Sequence, residues 1–284
     1  MSETAAQDGS WRDPSTGLTL RYRSWRPSSV KAVLVILHGF GEHGGRYEAL
    51  ASSLALRDIW VAAPDLPGHG RSAGKRGDLA QMARCVQQLW TMTQEIFLPA
   101  AGLTRYSLFG HSFGGLLAIL WTMQNPPNLN RVVLQSPLLE VGFPIPWWKT
   151  TAAGLVAGWW PTATFSTSLD VGALSHDPAV VQGYRADPLV HYVMSARTYF
   201  AILAARDQAL DGTAAIRRPV LMLTGGEDRI VSVEAARRWF DRISGEKQQV
   251  VFPGAYHELH HESVREDVVR LVCDWVLGAG QGAG

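Results

Sequence analysis

The stretch Gly110-His111-Ser112-Phe113-Gly114-Gly115 fits the pattern G-x-S-x-G, and a serine so placed can do nucleophilic acyl transfer if a base and an orienting acid reach it. A serine hydroxyl is a weak nucleophile at neutral pH, so its proton must pass to a neighbouring base during attack. His257 suits that role. It follows the expected strand at 248–252 in Pro253-Gly254-Ala255-Tyr256-His257, a loop position at that strand's carboxyl end, where open α/β sheets meet their ligands. His260 and His261 are competing bases, farther from the strand and in sequence that begins to look helical. The acid should fall between serine and histidine in chain order. Asp228, in Thr224-Gly225-Gly226-Glu227-Asp228-Arg229, meets that requirement, with Glu227 as its alternative. Asp228 could also merely cap the helix that follows. The developing oxyanion would be met by the N–H of Phe113 and by one from His38-Gly39-Phe40-Gly41, with Phe40 the expected donor.

Such a serine needs a strand, a sharp turn and a helix around it, and the chain supplies them. The run 32–37 is continuously apolar and β-branched, as in a strand covered on both faces, and strands are likewise expected at 59–63, 106–109, 131–135, 220–224 and 248–252. Between them lie helical patterns at 46–57, 79–97, 113–124 and 233–243, with a last helix at 262–277. An antiparallel hairpin, from Ser10 through a turn at 13–17 to a strand at 18–25, precedes the alternation. The order predicts a mostly parallel central sheet with helices on both faces, and the G-x-S-x-G turn between a strand and a helix of that sheet makes the α/β-hydrolase fold the expectation. The alternation breaks at 137–215, rich in Pro, Gly, Trp and Ser, which reads as a helical cap inserted into a core formed by 1–136 and 216–284.

The 284 residues carry a hydrophobic fraction of 46% and a net charge of only +1, enough for a sizeable core and too little for electrostatic steering to nucleic acid. Cys85 and Cys273 both fall in helical patterns and read as buried hydrophobes rather than as a disulfide. The N-terminus lacks a signal-peptide pattern, and no apolar run approaches the ~20 residues of a membrane span, so a cytoplasmic enzyme is expected.

Beyond the serine motif, His38-Gly39-Phe40-Gly41-Glu42-His43-Gly44-Gly45-Arg46-Tyr47 and Asp65-Leu66-Pro67-Gly68-His69-Gly70-Arg71-Ser72 resemble signatures of monoacylglycerol lipases and lysophospholipase-like hydrolases. Ser136-Pro137-Leu138, Asp187-Pro188-Leu189 and Gly254-Ala255-Tyr256-His257 extend the resemblance from about Lys31 to His261. It implies hydrolysis of single-chain acyl esters by Ser112, Asp228 and His257 through an acyl-enzyme, with no cofactor or metal. It also implies that Glu42, Arg46, His111, Tyr184 and His260 build or support a polar pocket for the alcohol. A plain Glu42 to Arg46 ion pair is the alternative. Phe143, Trp147, Trp148, Trp159, Trp160 and Phe165 crowd the cap, where they could line an acyl tunnel, rest on a membrane surface or close the cap's own small core. Lysophospholipids, thioesters, small peptides and aryl esters could use the same machinery, and a non-catalytic ligand-binding protein could retain it. Haloalkane dehalogenases and epoxide hydrolases differ in using an aspartate where Ser112 stands.

Overall fold

The computed structural model describes residues 5–79, 81–142, 156, 158–167 and 169–278. Its centre is an eight-stranded sheet. Strands β1 (Gln7–Arg12) and β2 (Thr19–Trp25) form an antiparallel hairpin, and β2 pairs antiparallel with β4 (Ile59–Pro64). From there β3 (Ala32–Leu37), β5 (Tyr106–His111), β6 (Leu129–Gln135), β9 (Val220–Gly225) and β10 (Lys247–Phe252) continue the sheet in parallel. The order β1-β2-β4-β3-β5-β6-β9-β10 is the mostly parallel α/β-hydrolase arrangement expected from the alternation.

Period-2 side-chain alternation explains why the central strands read as unbroken apolar runs. In β3, Val33, Val35 and Leu37 enter one buried layer while Leu34 and Ile36 enter the other. The first layer also receives helix α2 (Met82–Met92) and helix α3 (Phe113–Met123), and the second is closed by α1 (Glu48–Ala55) and α6 (Arg265–Leu277). Cys85 and Cys273 are free and buried, one in each layer.

Several element boundaries differ from the sequence expectation by a few residues, two of them for a clear local reason. The first strand starts at Gln7 rather than Ser10, because Gln7, Asp8 and Gly9 pair with Ser24, Arg23 and Tyr22 despite their polarity. Helix α2 starts at Met82 rather than at residue 79, where the Leu79 N–H is instead taken by the Thr198 hydroxyl at 2.7 Å.

Between β6 and β9, the short strands β7 (Thr164–Ser166) and β8 (Val193–Ser195) form a separate two-stranded ribbon, with α4 (Pro178–Ala186) between them. Helix α5 (Ala196–Asp211) follows, and its Ile202, Ala205 and Ala209 pack into the main core beside α3. A small cluster of Val171, Ala173, Leu174 and Tyr184 closes on Ile230 and Val231. The cap aromatics lie elsewhere. Trp159 and Trp160 are 93% and 67% exposed and Phe165 is exposed, whereas Phe143, Trp147 and Trp148 fall outside the described residues.

Candidate active site

Ser112 is held on the turn between β5 and α3 at φ 52° and ψ −117°, a region that costs a residue with a Cβ about 1–3 kcal/mol. The strain is maintained by hydrogen bonds on both sides: Ser112 N–H donates to Gln135 O at 3.0 Å, and Ser112 O accepts from Leu138 at 2.9 Å and Leu116 at 3.2 Å. The flanking glycines are required by close packing. A Cβ on Gly114 would lie 2.0 Å from the carbonyl oxygen of Leu37, and one on Gly110 would lie 2.5 Å from that of Gly114. Gly114→Ala must therefore push α3 away from the end of β3. A loss of about 3 kcal/mol in denaturant unfolding is expected, with a matching loss of esterase activity as the donors at the helix start shift. An unchanged unfolding midpoint would contradict this close approach.

His257 Nδ1 lies 2.7 Å from Asp228 Oδ2, and the two side chains are only 2% and 1% exposed. The other carboxylate oxygen, Oδ1, accepts from the N–H groups of Ile230 at 2.8 Å and Val231 at 3.0 Å. Burial works against charge on Asp228, but the His257 ring and these backbone donors outweigh it and hold its pKa below the ordinary value. Burial likewise opposes charge on His257, and the Asp228 carboxylate prevails, leaving that histidine's pKa raised. The His257 ring packs 4.6 Å from that of His111, the neighbour of Ser112, and the carbonyl of His257 accepts from the Ser136 hydroxyl. Glu227 is exposed to solvent. His260 stacks on Tyr47 at 4.6 Å instead of meeting Asp228.

Phe113 opens helix α3, so its N–H has no acceptor one turn back. Among the described residues, none accepts from the Phe40 N–H either. The rings of Phe40 and Phe113 meet edge to face at 5.5 Å, and Phe40 also meets His69 and His191, so both phenylalanines pack while leaving their N–H groups unpaired. Glu42 fixes the loop that carries Phe40: its Oε1 accepts from Gly39 N–H at 2.6 Å and from the Tyr47 hydroxyl at 2.8 Å. The chain between β6 and β9 clamps the same loop, through His191 N–H to Gly41 O at 2.8 Å and His43 to Asp187 at 2.8 Å.

The expected polar residues do assemble. Arg46 Nε donates to Glu42 Oε2 at 2.7 Å, its Nη2 to Glu258 Oε2 at 2.5 Å, and its guanidinium lies 4.4 Å from the Tyr184 ring centre. The ion pair and the polar cluster are thus one network. Gln135 joins it, with its amide nitrogen 3.0 Å from His111 Nδ1 and 2.8 Å from His260 Nδ1. Burial lowers the pKa of His111 to about 3 and that of His260 well below the ordinary histidine value, so both rings are neutral. Sequence reading missed Gln135 and Glu258. Each directly neighbours a recognised residue, Ser136 and His257, and that adjacency was the only signal available.

Glu258, His260 and His261 place one ligand-type atom each within 4.8 Å of one another. The Arg46 guanidinium already occupies Glu258, so a metal ion there would meet a fixed positive charge at close range.

Known proteins resemble this chain in sequence and in fold. The chain matches the serine aminopeptidase S33 hydrolase family from residue 28 to residue 264. It belongs to that family of α/β-hydrolases. Within the family, it is 31% identical to a monoacylglycerol lipase of Mycolicibacterium smegmatis over 92% of this chain and 94% of that protein. It is 28% identical to the phospholipase YtpA of Bacillus subtilis, over 87% of this chain and 95% of that one. The crystal structure of a Paleococcus ferrophilus monoacylglycerol lipase superposes with a TM-score of 0.83 at 30% identity, covering 92% of this chain and 98% of that one. The chain is a hydrolase of the monoacylglycerol lipase-like group.

Proposed function

We propose that this hydrolase cleaves single-chain carboxylic esters, in the manner of a monoacylglycerol lipase, with Ser112, His257 and Asp228 as its triad. The observation that carries the reading is the buried His257 to Asp228 hydrogen bond of 2.7 Å beside the strained Ser112 elbow. In the first step His257 Nε2 takes the Ser112 proton as Oγ bonds to the ester carbonyl carbon, and the oxyanion is received by the Phe40 and Phe113 N–H groups. The tetrahedral intermediate collapses, the alcohol leaves with the proton from His257, and an acyl-Ser112 ester remains. Water, deprotonated by His257, then attacks that ester; the acid departs and Ser112 recovers its proton. Asp228 holds the imidazole with its proton on Nδ1 and stabilises the transient imidazolium.

Glu42, Arg46, His111, Tyr184 and His260 are proposed as the wall and support of the alcohol pocket. We assign 137–215 as the cap, its last helix α5 anchored in the core by Ile202, Ala205 and Ala209. No helix among the described residues is long and apolar enough to cross a membrane. Trp159 and Trp160, solvent-exposed, suit a cap that rests on lipid. The likeness to a phospholipase supports lysophospholipids as the second substrate reading. A fluorophosphonate should label Ser112 stoichiometrically, and the protein should turn over 1- and 2-monoacylglycerols and a graded series of p-nitrophenyl esters. A folded sample inert to the label and to every ester would leave a non-catalytic binding protein in its place.

A further inference from the structure

Arg46 lies between two buried carboxylates, and the sequence motifs account for only one of them. Glu42 is saturated: Gly39 N–H, Tyr47 hydroxyl and Arg46 all donate to it. Glu258 is 1% exposed, and its carboxylate accepts from Nη2 of the same guanidinium whose Nε meets Glu42. Its position is fixed from the backbone too, because its N–H donates to Leu174 O at 2.8 Å, in the small cluster beneath α4. The aromatic face of Tyr184 lies against the guanidinium of Arg46. The network therefore has no unpaired cation, since the neighbouring histidine rings are neutral. His261, like His111 and His260, is held down by burial, to about 4.

We propose that Glu258 is a specificity-determining residue: by sharing the Arg46 guanidinium with Glu42, so that two buried carboxylates surround one cation, it confines the alcohol end of the ester to electrically neutral groups and excludes phosphate and other anions. The inference rests on the alcohol-pocket reading given above. The physical basis is that a buried guanidinium with one edge free is a strong bidentate receptor for phosphate, whereas one shared by two carboxylates presents net negative charge to an incoming anion. Neutral diols and triols lose nothing by this. Anionic head groups meet repulsion in a low-dielectric site, where it is least screened, which favours neutral monoacylglycerols over the lysophospholipid reading.

A second consequence follows from the state of Glu258. Burial, only partly offset by Arg46, raises its carboxyl pKa to about 7. The charged and titratable groups around it are Arg46, Glu42, His257, His261, His260, Tyr47 and Tyr184. Of these, His257 also titrates as part of the reaction, but it acts on every ester alike and cancels from a ratio of two substrates. Discrimination against anions should accordingly be full above pH 7, with Glu258 ionised, and should weaken below it, as Glu258 protonates and releases Arg46.

The test compares kcat/KM for 1-octanoylglycerol and for its 3-sulfate, an anion whose charge is fixed across the pH range, in the wild type and in Glu258→Gln, which keeps the shape and removes the charge. The substitution should raise the sulfate-to-neutral ratio at least about tenfold, and in the wild type the same ratio should climb as pH falls from 8 to 6. A purely structural lesion would depress both substrates together. Fluorophosphonate labelling reports whether the variant retains a competent Ser112; if the variant does not fold, the wild-type pH series still decides. A ratio unmoved by both the substitution and pH overturns the inference while neutral turnover keeps the parent reading. Absence of neutral turnover in the wild type sinks the parent reading instead.

Discussion

Ser112→Ala is expected to lower kcat/KM for a p-nitrophenyl ester by about 10⁴ or more and to abolish fluorophosphonate labelling. The size of the effect reflects how the steps depend on one another: without Oγ no acyl-enzyme forms, and His257, Asp228 and the oxyanion donors have nothing to act on. Alanine keeps the Cβ and therefore the backbone strain of the φ 52° elbow, so unfolding should be little changed. Ser112→Gly provides the contrast. It should be equally inactive yet more stable than the alanine variant by about 1–2 kcal/mol, because glycine adopts positive φ without the Cβ clash. Equal unfolding free energies for the two variants would show that the elbow stores no strain, and retained turnover in either would remove Ser112 as nucleophile.

The fold was legible because its central strands announce themselves. A strand buried on both faces leaves an unbroken apolar run, and 32–37 and 220–225 have no polar position before their carboxyl ends. Edge and capping elements are quieter. Gln7 to Gly9 and Thr164 to Ser166 are exposed strands whose pairing is supplied by backbone hydrogen bonds, to which side-chain patterning is blind. The proposed serine, histidine and aspartate could be singled out as candidates because each sits at a strand's carboxyl end in a recognisable turn. Gln135 and Glu258 could not, since their roles depend on which partners three-dimensional packing brings within reach. Gln135 sits between two histidines 24 and 125 positions away along the chain. Glu258 finds Arg46 across 212 positions, and no local signal encodes such a contact. The tryptophans illustrate the converse, because composition marked them as unusual while only the structure sets Trp159 and Trp160 at the surface.

Asp228→Asn should cost about 10⁴ in kcat while leaving the fold intact, and the local hydrogen bonding says why. The Oδ1 atom is already claimed by the N–H groups of Ile230 and Val231, so an asparagine will keep its carbonyl oxygen there and turn its NH₂ toward His257. That amide then donates to Nδ1, which obliges the imidazole to carry its proton on Nε2, the atom that must accept from Ser112. The substitution thus reverses the tautomer without moving a heavy atom. It also removes the charge that raises the His257 pKa, so that the burial opposing it is no longer offset. Activity requires neutral His257, and the acid limb of the wild-type profile should therefore lie above the ordinary histidine value near 6.5, shifting to lower pH in the variant. The combination is diagnostic: a residue that merely capped the helix after β9 would alter stability and leave the acid limb where it was. A loss under tenfold with an unmoved limb would return Asp228 to that capping role, and the acid partner of His257 would have to be sought elsewhere.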